Sequence, residues 1–123
     1  MGKKILIIED DPQGMKALRD YLRAYGYHVL AASNGADGVE LAREAKPDVV
    51  LCDVLLPRKS GFEVCFELKR ESEGTTFPVV LMSAVLGGEP EMRYAADLRA
   101  DGFFVKPFSM AKMRERIEQI LSA

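Results

Sequence analysis

With 123 residues, 48% of them hydrophobic, and a formal net charge of -2 from 17 basic and 19 acidic side chains, the chain can build one core that buries roughly two-thirds of its unfolded surface. A balance this close to neutral gives no bulk attraction to nucleic acid or anionic lipid, and no apolar run approaches the roughly 20 residues that span a bilayer. Met1-Gly2-Lys3-Lys4 runs directly into a strand pattern with no signal-peptide core, so the expectation is a cytoplasmic protein with neither membrane nor direct nucleic-acid contacts.

The first apolar run, Ile5-Leu6-Ile7-Ile8, reads as a strand and stops on Glu9-Asp10-Asp11. Asp11-Pro12 then starts a helix, because Asp caps free amides and Pro suits the first helical position. Met15, Leu18, Leu22 and Tyr25 recur at steps of three and four as its inner stripe, and Gly26 ends it. A short strand is expected over residues 28–31, then a helix over about 35–45 begun by Ser33 or Asn34. Lys46-Pro47-Asp48 closes that unit and leads into Val49-Val50-Leu51-Cys52, which stops on Asp53. Ser60-Gly61-Phe62-Glu63 matches a capping box, in which hydroxyl and carboxylate satisfy each other's free backbone donors, and predicts a helix to about residue 71. Residues 73–76 read as loop before Val79-Val80-Leu81-Met82, which stops on Ser83. Gly87-Gly88-Glu89-Pro90 reads as a loop opening a helix over about residues 91–99. Phe103-Phe104-Val105 runs into Lys106-Pro107, and Ser109 caps a last helix with Met110, Met113, Ile117, Ile120 and Leu121 inward.

Five strands and five helices in alternation, with strand runs apolar throughout, imply an α/β protein whose five-stranded parallel sheet is covered on both faces. Right-handed crossovers make this a doubly wound, three-layer αβα sandwich, expected to form one domain over residues 1–123. Ligands bind outside the carboxyl ends of the strands in such a sheet, so the acids, the hydroxyl and the ammonium at those ends should share one crevice. That set suits divalent metal and phosphoryl chemistry. Cys52 and Cys65 lack CxxC spacing and lie among apolar residues, so both read as small hydrophobes.

The acidic pair after the first strand, the lone Asp53 after the third, Ser83-Ala84 after the fourth and Lys106-Pro107-Phe108 after the fifth occur together, in order and at one spacing. On those residues the chain resembles, over nearly its whole length, the receiver domain of two-component response regulators, a flavodoxin-like, CheY-like fold. The resemblance implies that Asp53 is the phosphoacceptor, taking a phosphoryl group from a histidine kinase or a histidine phosphotransfer protein. It implies Mg²⁺, with Mn²⁺ as an alternative, held by Glu9, Asp10, Asp53 and the backbone carbonyl of Leu55, Asp10 directly and Glu9 through water. Asp11, placed before Pro12, reads as a helix cap and not as a third metal-holding acid. Lys106 and the Ser83 hydroxyl would engage phosphoryl oxygens, and Pro107 would sit behind a cis peptide bond. Ser83 and Phe103 would form the switch, Phe103 turning inward by steric release, with the face of the fourth helix, fifth strand and fifth helix as output. The downstream protein target stays unknown, and both a monomer and a phosphorylation-dependent dimer stay open.

Arg99 stands where the family commonly has Gly, so either a left-handed helix end costs about 1 kcal/mol or the fourth helix ends differently. Two rivals rank lower. An aspartate-nucleophile phosphatase would carry a second Asp two residues after the first, where this chain has Leu55, and a pseudo-receiver scaffold would have a broken acid or lysine site. The expectation is therefore a signalling phosphoacceptor that catalyses only its own phosphorylation and dephosphorylation, with no effector encoded in these residues.

Overall fold

Alternation of buried runs and amphipathic stripes resolves, in a computed structural model, into β1 (Lys4–Ile8), α1 (Pro12–Ala24), β2 (His28–Ala32), α2 (Gly35–Ala45), β3 (Val49–Asp53), α3 (Gly61–Lys69), β4 (Val79–Ser83), α4 (Glu89–Asp97), β5 (Gly102–Val105) and α5 (Met110–Ser122). The structure describes residues 2–70, 77–84 and 89–122. All strand pairings are parallel in the order β2-β1-β3-β4-β5, with Ile8 beside Ala32 and Cys52, Asp53 beside Met82, and Ser83 beside Val105. The chain winds outward from β1 to one edge and then back across to the other, which leaves a crevice above the β1–β3 boundary.

Strand residues alternate between two cores. Leu6, Ile8, Val50, Cys52, Val79 and Leu81 join Val39, Val64, Leu68 and Ala95 under α2, α3 and α4. Ile5, Ile7, Val49, Leu51, Val80 and Met82 join Leu18, Leu22, Met113 and Ile117 under α1 and α5. Residues 5–8, 49–52 and 79–82 are fully buried, which is why those runs are apolar without alternation. Cys52 and Cys65 are free and buried in the first core, as expected of small hydrophobes. Burial raises both thiols, Cys65 to about 11.

Capping chemistry sets the helix starts. Asp11 accepts the Gly14 amide at 3.1 Å, and Pro12 holds the first turn of α1. Of the two candidates for α2, Asn34 is the cap, accepting the Asp37 amide at 2.8 Å. Both halves of the Ser60–Glu63 box are made, at 3.2 and 3.3 Å. Ser109 accepts the Lys112 amide at 3.2 Å, and Met113 and Ile117 bury fully on the inner stripe of α5.

Four boundaries differ from expectation. β2 extends one residue further, to Ala32, and α3 stops at Lys69. α4 begins at Glu89, two residues early, because Pro90 is tolerated in a first turn. Its end lies at Asp97, where the Arg99 amide donates to Ala96 at 2.9 Å and the Ala100 amide to Ala95 at 3.0 Å. That is a Schellman closure with Arg99 as its left-handed residue at φ 65°, so the strained alternative is the one realised. The expected loop over 73–76 and the Gly87-Gly88 turn lie outside the described residues. Among the described residues no helix is long and apolar enough to cross a membrane.

Candidate functional site

Each strand end at the crevice delivers one group because the carboxyl ends of the strands in a parallel sheet open onto a common crevice. β1 delivers Glu9, β3 ends on Asp53, β4 ends on Ser83 and β5 leads into Lys106. The Lys106 ammonium lies 2.5 Å from Asp53 Oδ2 and 2.6 Å from Glu9 Oε1, so a single cation is shared by two carboxylates. Side-chain exposure is 2% for Glu9, 8% for Asp53 and 28% for Lys106, so the pair of acids is nearly dry and the lysine closes it from outside.

Other bonds fix this geometry. The Leu55 amide donates to Asp53 Oδ1 at 2.9 Å, and the Asp11 amide donates to Glu9 Oε2 at 3.2 Å. The Lys106 amide donates to the Ser83 carbonyl at 2.7 Å, which ties the β5 exit to the end of β4. The Lys106–Pro107 peptide is cis. Burial raises the Glu9 carboxyl above its usual value, against the pull of the Lys106 hydrogen bond. For Lys106, burial pulls the ammonium down, but hydrogen bonds to Asp53 and Glu9 outweigh it and leave the group raised. The charged lysine is therefore held by its two acceptors.

Of the residues singled out from the sequence, Glu9, Asp53 and Lys106 meet directly. Ser83 is fully buried at the neighbouring strand end, and Phe103, paired in register with Leu81, is half-buried against the first core. Asp10 follows Glu9 with its side chain exposed, and Leu55 exposes 61% of its surface. Asp11 serves as a cap, as expected. One contribution was not anticipated, the Leu55 amide, where the expectation concerned only its carbonyl. An apolar cleft of about 440 Å³ also opens beside Lys106, walled by Leu18, Ala84, Pro107, Phe108 and Met110.

Among the described residues, no three His, Cys, Asp or Glu side chains converge as a metal cage. The donor chemistry nonetheless fits Mg²⁺, which prefers one or two carboxylates completed by water and phosphate oxygens. Glu9, Asp10 and Asp53 against Lys106 give three formal negative charges and one positive, leaving a surplus of two for a divalent ion to balance.

Comparison with known proteins identifies the family and the fold. The family model for the response regulator receiver domain matches residues 5–118. The polar-differentiation response regulator DivK of Brucella anthropi is 35% identical over 123 residues, covering 98% of each chain. The chain spans about half the length of other curated relatives, 45% and 49% of two transcriptional regulators. A crystal structure of a response regulator from Chloroflexus aurantiacus superposes with a TM-score of 0.92 at 26% identity, covering 100% of both chains. The receiver domain of sensor histidine kinase PA1611 from Pseudomonas aeruginosa, solved with magnesium coordinated in its active-site cleft, gives 0.88 at 25% identity, again covering 100% of both.

Proposed function

The chain belongs to the response regulator receiver family of two-component signalling, and from that membership we propose that Asp53 is its phosphoacceptor. The observation that supports this most is the Lys106 ammonium held 2.5 Å from Asp53 and 2.6 Å from Glu9, at the ends of three strands. As a signalling domain and not a classical enzyme, it would catalyse only its own phosphorylation and dephosphorylation.

Asp53 attacks the phosphorus of a phosphohistidine on a histidine kinase or phosphotransfer protein. A phosphorus–oxygen bond forms as the phosphorus–nitrogen bond breaks, and the imidazole leaves. The transition state is loose and spreads charge over three oxygens, so the residues contribute mainly position and charge. Lys106 neutralises one oxygen, and the Ser83 hydroxyl donates to another. Asp10, Glu9 through water, Asp53 and the Leu55 carbonyl would hold Mg²⁺, or Mn²⁺ in its place, which supplies further charge neutralisation when bound.

Engaging Ser83 frees space for Phe103 to turn inward, and the face of α4, β5 and α5 carries the change to a downstream protein. The exposed apolar Leu55 beside Asp53 disfavours an attacking water, so the acyl phosphate is long-lived; Val85, expected to add to this, lies outside the described residues. We take residues 1–123 as one receiver domain acting in the cytoplasm.

Incubation with Mg²⁺ and acetyl phosphate, followed by intact mass measurement, tests the assignment. One added phosphoryl group in the wild type and none in Asp53→Asn is expected. Continuous phosphate release at high turnover would point instead to a phosphatase, and absence of any adduct to a binding scaffold.

A further inference from the structure

The loop between β3 and α3, residues 54–60, is held at a place outside the charged cluster. Its Leu55 amide donates to Asp53 Oδ1 at 2.9 Å, so the path of the loop sets the direction of one carboxylate oxygen. Two and three residues further on, the loop leans on the first turn of α2. There the Gly35 amide donates to the Pro57 carbonyl at 3.4 Å, and the Arg58 guanidinium lies 3.3 Å from Asp37 Oδ1. Asp37 is itself fixed, since its amide donates to Asn34 Oδ1 at 2.8 Å and its second oxygen accepts the Asn34 side-chain amide at 2.9 Å.

The contact is close enough to require glycine at position 35. A Cβ on Gly35 would stand 2.0 Å from the Lys59 carbonyl oxygen and 2.8 Å from its carbon, a backbone approach that no rotamer change relieves. Arg58 has φ 70°, the left-handed region that residues with a Cβ avoid. A turn that required only that conformation would be best served by glycine. Arginine adds a charge that reaches Asp37.

Resting on the reading of Asp53 as phosphoacceptor, we propose that the start of α2 latches this loop, with Arg58 and Gly35 as positioning residues that keep the Leu55 amide against Asp53. Both members of the ion pair are more than half exposed, so the latch adds little to global stability. Its effect is local, and that makes it separable from a general structural role.

Arg58→Gly tests this, because it relieves the strained φ while removing the anchor. Amide hydrogen exchange followed by NMR, without Mg²⁺ or phosphodonor, is expected to show Leu55 exchanging about three- to tenfold faster, with the melting temperature unchanged or raised. Phosphorylation from acetyl phosphate should slow by a similar factor, and Arg58→Lys should restore most of both. A destabilised control with its change far from the loop, Ile117→Ala, should lower the melting temperature without singling out Leu55. Wild-type exchange at Leu55 in Arg58→Gly overturns the latch. Because that readout needs no phosphoryl transfer, it is decided separately from whether Asp53 is the phosphoacceptor.

Discussion

Replacing Lys106 with methionine keeps a side chain of similar length and removes the charge that Glu9 and Asp53 share. Removing one partner of a buried ion pair costs about 3–5 kcal/mol, because the remaining charge is left uncompensated. Here two acids with 2% and 8% of their side chains exposed are stranded, but the lysine itself is 28% exposed, so solvent screens part of the loss. The expected destabilisation is about 2–4 kcal/mol near pH 7.5. At about 4 °C per kcal/mol for a chain of this size, that lowers the melting temperature by roughly 8–16 °C. The sign with pH follows from the stranded carboxylates. Burial already raises Glu9, and without Lys106 it loses the hydrogen bond that opposes that rise, so the cost is complete where Glu9 is ionised and fades as acid supplies its proton. Circular dichroism melts of wild type and variant in chelator, at about pH 7.5 and about pH 5, measure it. A loss below about 1 kcal/mol, or a gap that widens on acidification, refutes the reasoning.

Mg²⁺ should raise the melting temperature of the wild type, and Asp10→Asn should stabilise the metal-free protein by about 1 kcal/mol while abolishing that gain, because Asp10 is exposed and its repulsion of Glu9 is screened; calorimetry with and without Mg²⁺ decides. Gly61→Ala should destabilise by about 2 kcal/mol or more in urea titrations, although alanine favours helix, since the new Cβ would stand 2.2 Å from the Asp53 carbonyl oxygen and 2.7 Å from Val54 Cα. With burial raising Cys65 to about 11 and holding Cys52 well above the ordinary thiol value, a thiol reagent near pH 8 should label neither in the folded chain and both in denaturant. The same shift makes stability fall as pH rises past the ordinary thiol value of 9.0, because the unfolded chain loses those protons first.

The crevice was legible because buried strands are apolar end to end, so the first polar residue after each run marks the sheet's carboxyl edge. Glu9, Asp53, Ser83 and Lys106 were found that way, and Asp11 was separated from them by its place before Pro12. Less visible was whatever depends on contacts between distant segments. The bond from Lys106 to Glu9 links residues 97 positions apart. The approach of Gly35 to Lys59 is also between distant segments, and nothing in either neighbourhood announces it. Local signals misplaced the ends of β2 and α3 by a residue or two and the start of α4, where Pro90 fits inside the helix, while the left-handed Arg99 was one of two readings the sequence left open.

Strand β5 sends Phe103 into the layer under α4 and Phe104 into the layer under α5, where the Phe104 ring centroid lies 5.6 Å from that of Phe108. Side chains on adjacent positions of a strand leave it in opposite directions. A roll of this edge strand about its own axis therefore cannot reposition one aromatic ring alone. A roll that carried Phe103 toward the sheet's interior would tip Phe104 against its tilted neighbour Phe108, so the strand would act as a rocker shaft between two helical layers.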